Sequence, residues 1–311
     1  MGHHSVAVWL GFTGLVVALL VLDLGVLNRR SHVLSFKEAM SWSLGLIAIA
    51  LLFGGFIYWR EGLHPALEYY TGYLIELSLS VDNLFVFILI FTYFGVPAEA
   101  QPKVLKWGIL GAVVMRFIMI AAGALLLQRF EWITYLFGGI LILTGVKMFR
   151  GDDEKIEPEK NPVVKLARRV LPFSDSYDGA KFFSRRLKGG LLATPLFLVV
   201  LVVEWSDLVF AIDSIPAIFS VTRDPFLVYS SNVFAILGLR AMYFVLAGMM
   251  DRFAYLKPGV ALILVFVGTK MMLTHWVHLP IYVSLAVIVV VLAGSVVLSL
   301  RRTAREPRAA A

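Results

Sequence analysis

The stretch Glu204–Pro216, E-W-S-D-L-V-F-A-I-D-S-I-P, sets three carboxylates into an otherwise apolar run, and Glu76–Asn83, E-L-S-L-S-V-D-N, sets two more into another. Such placement needs an explanation, and the rest of the chain supplies the frame for it. Of 311 residues, 59% are hydrophobic and 16% charged, with a mean hydropathy of +0.84, a balance that water-soluble domains rarely carry. Most of the chain therefore belongs in lipid, and carboxylates inside its apolar runs mark a polar interior. The absence of cysteine excludes disulfides, thiol catalysis, iron–sulfur clusters and cysteine-ligated zinc, and argues against redox chemistry by the chain alone.

Crossing roughly 30 Å of hydrocarbon takes about 20 helical residues. Nine runs qualify: Val6–Leu27, Met40–Trp59, Leu67–Tyr93, Gly108–Leu127, Trp132–Met148, Leu191–Phe219, Tyr229–Met250, Tyr255–Met272 and Ile281–Leu300. The fifth and eighth are short. The first is too long for a cleavable signal, carries Asp23 and lacks an A-x-A site, so it is expected to be an anchor. The predicted class is an all-α polytopic membrane protein with about nine transmembrane helices.

Its expected parts are two N-terminal helices (1–60), a three-helix unit (66–149), a linker (150–190), a second three-helix unit (191–273) and a last helix with a basic tail (279–311). Basic residues give the orientation, since the cytoplasmic side keeps the excess of Lys and Arg. One set of alternate loops holds only Arg60, Arg129 and Arg223, and Arg116, Lys147, Arg240 and Lys270 lie inside runs. The rest of the 28 fall on the other side, ten of them between Arg150 and Lys188, which places the N-terminus outside and the C-terminus in the cytoplasm. Within the linker, Gly151–Asn161 is a mixed-charge stretch. In Val163–Pro172, Lys165, Arg168 and Arg169 alternate with apolar residues at helical spacing, as expected of a helix on an anionic leaflet; a solvated linker is the competing reading.

The two units repeat one another. Glu76 and Asp82 are six apart, as are Asp207 and Asp213, and a small polar residue follows each pair, Asn83 or Ser214. I-L-G recurs at Ile109–Gly111 and Ile236–Gly238, and Arg116 answers Arg240. Arg129 to Lys147 is matched by Arg252 to Lys270, with Gly145 answering Gly268. An odd number of spans per unit inserts the second copy upside down, which gives two inverted three-helix repeats and predicts a site at their interface.

Inside the runs, Asp23, Glu76, Asp82, Glu204, Asp207 and Asp213 outnumber Arg116, Lys147, Arg240 and Lys270 by two charges. Each buried charge costs at least about 2.5 kcal/mol, so the surplus should be neutralised, by one divalent cation or by two protons. Six residues of helix are a rise of about 9 Å and a turn of about 120°, so Glu76 and Asp82 cannot chelate one ion alone and ligands are expected from both motif helices. Carboxylates, an amide, hydroxyls and the Ile212 carbonyl freed by Pro216 make an oxygen set suited to manganese, magnesium or calcium. All six histidines fall in predicted loops or at the N-terminus, which disfavours an imidazole site. Met115, Met119, Met242 and Met271 are expected to be filler more often than ligands. The four internal basic residues are expected to be charge-compensating partners, able to swing onto a carboxylate when an ion leaves.

Together with Asn232–Phe244, N-V-F-A-I-L-G-L-R-A-M-Y-F, the two acidic motifs resemble the TerC family of integral membrane proteins, most closely its Alx-type members, over about Val6–Leu300. The resemblance implies a nine-span inner-membrane protein of the LysE-like superfamily, linked to manganese export and, through the family name, to tellurium resistance. It also implies a metal pathway at Glu76, Asp82, Asn83, Glu204, Asp207, Asp213 and Ser214. The expected function is manganese(II) export by alternating access driven by inward proton movement, with no permanently bound cofactor and no nucleic-acid partner. An oxyanion such as tellurite would sit poorly among six carboxylates. The alternative is a membrane partner in a metal- or tellurite-resistance or envelope complex. An intramembrane enzyme is disfavoured, because no Ser–His, HExxH or GxGD arrangement occurs.

Overall fold

The computed structural model describes residues 4–23, 35–130, 132–150, 162–185, 190–247, 255–273, 276 and 279–305, without the side chains of 82 and 303–305. The stretch Gly151–Asn161, the first run beyond Asp23 and the side chain of Asp82 thus lie outside the described residues, as do His3, His32, His275 and His278. The order is α1 (Val6–Val21), α2 (Phe36–Glu61), α3 (Leu63–Tyr93), α4 (Gln101–Arg129), α5 (Ile133–Arg150), α6 (Pro162–Val170), β1 (Phe183–Arg185), β2 (Leu191–Ala193), α7 (Pro195–Phe219), α8 (Pro225–Ala247), α9 (Leu256–Met272) and α10 (Ile281–Arg305).

Seven of these helices, α2, α3, α4, α5, α7, α8 and α10, are long and apolar enough to cross a membrane. The other two runs hold α1, at 16 residues, and α9, at 17. Local chemistry sets several boundaries. Ser35 and Glu38 form a reciprocal capping box that starts α2, and Gly62, at φ 95°, takes the backbone conformation that separates α2 from α3. The apolar run beginning at Leu191 starts as a strand: Leu191–Ala193 pairs antiparallel with Phe183–Arg185 before Pro195 opens α7.

The most buried spanning helix is α8, packed against α2, α3 and α4. Phe12 of α1 joins Phe53, Phe226, Tyr229 and Phe234 in an aromatic cluster that attaches the N-terminal helices to it. Apolar side chains such as Leu52, Leu125, Leu143 and Val290 point outward, which lipid accommodates and water would not.

Helix directions follow from close approaches. Gly108 faces Val203, Gly111 faces Glu204 and Gly123 faces Phe219, so α4 and α7 run parallel. Gly72 faces Ile218, while Glu76 and Ser214 meet at one arginine, so α3 and α7 run antiparallel. In α5 and α9 the backbones nearly touch. A Cβ at Gly145 would lie 2.8 Å from the Ala261 carbonyl oxygen, and one at Gly268 would lie 2.7 Å from that of Gly138. These two approaches exchange matching positions, since Gly145 answers Gly268 and Gly138 answers Ala261 at the same spacing.

At one end of the bundle the described part of the linker packs onto the helices. Val164 and Ala167 of α6 are buried beside α7, whereas Lys165, Arg168 and Arg169 are exposed. The Lys103 ammonium donates to the Ala180 carbonyl at 2.5 Å, and the Tyr177 hydroxyl donates to that of Phe94 at 2.7 Å. Burial pushes the Tyr177 phenol above its ordinary pKa.

Candidate functional site

The centre of the bundle holds a fully buried guanidinium. Arg116 of α4 donates through Nη1 to Glu76 Oε1 of α3 at 2.6 Å and to Ser214 Oγ of α7 at 2.6 Å. Its Nη2 and Nε approach Asp207 of α7 at 3.3 and 3.5 Å. Asp207 and Ser214 are seven residues apart, two turns along one face of α7, so both address the same point. Four of the residues singled out in the sequence therefore meet, and a cation already stands between the two acidic motifs. In so dry a place the desolvation of each charge is large, and the two carboxylates are what make a buried arginine tolerable.

Glu204 lies one turn before Asp207, half-buried and within electrostatic reach of it. Gly111 supplies its space, since a Cβ there would overlap the Glu204 carboxylate. Glu76, Asp207 and Glu204 carry three negative charges if all are ionised, and Arg116, which reaches the first two, offsets one.

Asp213 takes a different direction. One residue of helix is a rotation of about 100°, so although Ser214 faces Arg116, Asp213 faces α5 and accepts from the Thr144 hydroxyl at 2.8 Å, with Lys147 within electrostatic reach. Asn83 lies two turns beyond Glu76 on the same face of α3, with Ser80 between them. Glu76 Oε2, Ser80 Oγ and Asn83 Nδ2 are buried without a hydrogen-bond partner, as are both side-chain amide atoms of Asn232 on α8.

The remaining internal bases lie elsewhere. Arg240 of α8 donates to Asp23 at 2.5 Å, and the same carboxylate oxygen accepts from the Trp42 indole at 2.6 Å. Lys270 of α9 lies within electrostatic reach of Glu68. Thr144, Trp42 and Glu68 were not singled out in the sequence. Thr144 and Trp42 are polar groups within apolar runs, and Glu68 falls at a run's edge, where a carboxylate reads as interfacial. Among the described residues, no group of three or more His, Asp or Glu is arranged to hold a metal ion.

The model of the integral membrane protein TerC family matches residues 61–307. The chain belongs to the TerC family. A Myxococcus xanthus relative, "Uncharacterized membrane protein STKORF319", is 51% identical over 303 residues, covering 97% of this chain and 95% of its own. A Salmonella typhi protein named "Putative membrane-bound redox modulator Alx" is 47% identical over 300 residues, covering 94% and 93%. The Escherichia coli K12 protein of the same name is 48% identical over 289 residues, covering 90% of each. No solved structure matches. The family match begins at the end of α2, so it takes in the Arg116 cluster and both acidic motifs, while Asp23 and Trp42 precede it.

Proposed function

We propose that this TerC-family protein is a secondary transporter that exports manganese(II) across the bacterial cytoplasmic membrane by alternating access, driven by protons moving inward. The observation that carries the reading is the Arg116 guanidinium held between Glu76 of one repeat and Asp207 and Ser214 of the other. The protein keeps its own cation where opposed acidic helices converge. A hard divalent ion entering there in place of the guanidinium would meet the spare Oε2 of Glu76 and the carboxylate of Asp207, two negative charges that match its own, with Glu204 one turn away on α7. Arg116 would withdraw as the ion binds and return as it leaves, so that the empty carrier never crosses with bare carboxylates.

Two inverted repeats, α3–α5 and α7–α9, complete the proposal, with α1, α2 and α10 as further spans, the N-terminus outside and the C-terminus in the cytoplasm. Support comes from the antiparallel α3–α7 and α5–α9 pairs and from the exchanged glycine approaches. The helix pairing adds to it, because α3 packs on α8 as α4 does on α7. The relatives' name concerns redox modulation. With no thiol in this chain, an effect of that kind would act through the metal moved.

A second reading, a membrane partner that moves nothing, is favoured by the lack of a ready three-ligand cluster among the described residues. Proteoliposomes loaded with manganese decide between them. Export predicts a flux that E76Q and D207N each abolish, and flux absent from the unaltered protein, or undiminished in both variants, rejects it.

A further inference from the structure

A polar cavity of about 250 Å³ opens at the end of the bundle where α3 and α8 begin and α7 ends. Glu68, Thr134, Ser220 and Thr222 line it, together with the apolar Leu127 and Phe219. The Glu68 carboxylate accepts from the Thr222 hydroxyl at 2.7 Å and lies 3.3 Å from His64 Nδ1. Lys270 and Asp224 are also within its electrostatic reach, and Arg223 lines the cavity.

The cavity stands in line with the buried cluster. Following α4 inward from Leu127, the next turn brings Gly123, and about 10 Å further on is Arg116. Following α7 inward from Phe219, the next residue on that side is Ile215, which also faces Gly123, and Ser214 precedes it in the chain. The Phe219 ring is buried and seated on Gly123, where a Cβ would come within 2.8 Å of it. Only a glycine leaves room for the ring in this position, and the ring, which also lines the cavity, sits two helical turns along α4 from Arg116. Further in, Ile120 and Ile215 are buried with it before the ion cluster is reached.

Resting on the transport reading above, we propose that this cavity is the outer vestibule of the route. In it Glu68, with the hydroxyls of Thr222 and Ser220, receives a hard divalent cation, and Phe219 is the plug between it and the Arg116 cluster. One carboxylate with hydroxyls makes a weak site, which suits release, since an ion held tightly at the exit would not leave. Arg223 and Lys270 weaken it further, and Lys270 restores a partner to Glu68 once the ion has gone.

Because the chain has no cysteine, a single introduced thiol reports alone. In right-side-out vesicles, a membrane-impermeant maleimide should label T134C, on the cavity lining, from outside and leave S214C unlabelled. S214C should become labelled on the F219A background, and also with G123A, whose added methyl displaces the same ring. Millimolar manganese should slow labelling of T134C several-fold, and E68Q should remove that protection. S214C equally protected with and without F219A and G123A, T134C labelled only from the cytoplasmic side, or protection unaffected by E68Q would each overturn the proposal. The labelling needs no flux: gated labelling without manganese flux supports the plug and rejects the carrier, whereas flux without gating rejects the plug alone.

Discussion

Arg116 and Arg240 answer one another in the two halves of the chain, yet they are satisfied in different ways. Arg116 reaches two carboxylates and a hydroxyl on two motif helices. Arg240 reaches Asp23, at the end of α1, and its Nε has no hydrogen-bond partner. Matching positions in the sequence do not make matching sites, because the partners around each arginine decide what it does. One arginine ties the halves together at their centre. The other fastens the N-terminal helices to α8 through a carboxylate that Trp42 of α2 also holds.

The sharpest test of that contrast is R116M, which strips the cation from Glu76 and Asp207 together. A loss of about 3–5 kcal/mol is expected in the unfolding of the purified protein in detergent, with part of it recovered in the R116M/E76Q double variant. R240M should cost less, about 2–3 kcal/mol, because Asp23 keeps the Trp42 indole. Equal losses in the two variants would break the comparison.

The glycine approaches give a smaller effect that sharpens it. G268A and G145A each press a methyl against a carbonyl of the opposite helix, so each should destabilise by about 1–3 kcal/mol. Similar melting shifts for the two would show the backbones to be matched where the arginine environments are not. Smallest is T144V, which removes one hydroxyl from Asp213 and should cost about 1 kcal/mol while altering manganese flux. Flux measured beside stability separates the two consequences.

Much of the helical layout was legible because apolar runs long enough to span a bilayer leave the backbone few alternatives. The ends were less so. The helix α4 begins at Gln101, before the apolar run at Gly108, because Pro102 suits a first turn and Lys103 and Lys106 interrupt hydropathy without interrupting the backbone. The helix α7 begins after Leu191, whose neighbours are equally at home in a strand.

At the site, carboxylates inside apolar runs announced a polar interior. Their sorting between neighbours depends on azimuth and on helix pairing, which no one-dimensional count contains. Asp213 and Ser214 are adjacent yet serve α5 and Arg116 respectively. Lys270, which repeats Lys147, pairs electrostatically with Glu68 at a run's edge instead of with a motif carboxylate.

Where α5 crosses α9, the glycines Gly145 and Gly268 each bring one main chain against a carbonyl of the other. Such a joint resists sliding and tolerates pivoting, so a rocking molecule would use it as a fulcrum. The larger excursions would then fall on α4 and α7, which carry Arg116 and Asp207 and meet Glu76 of α3 through side chains able to change rotamer.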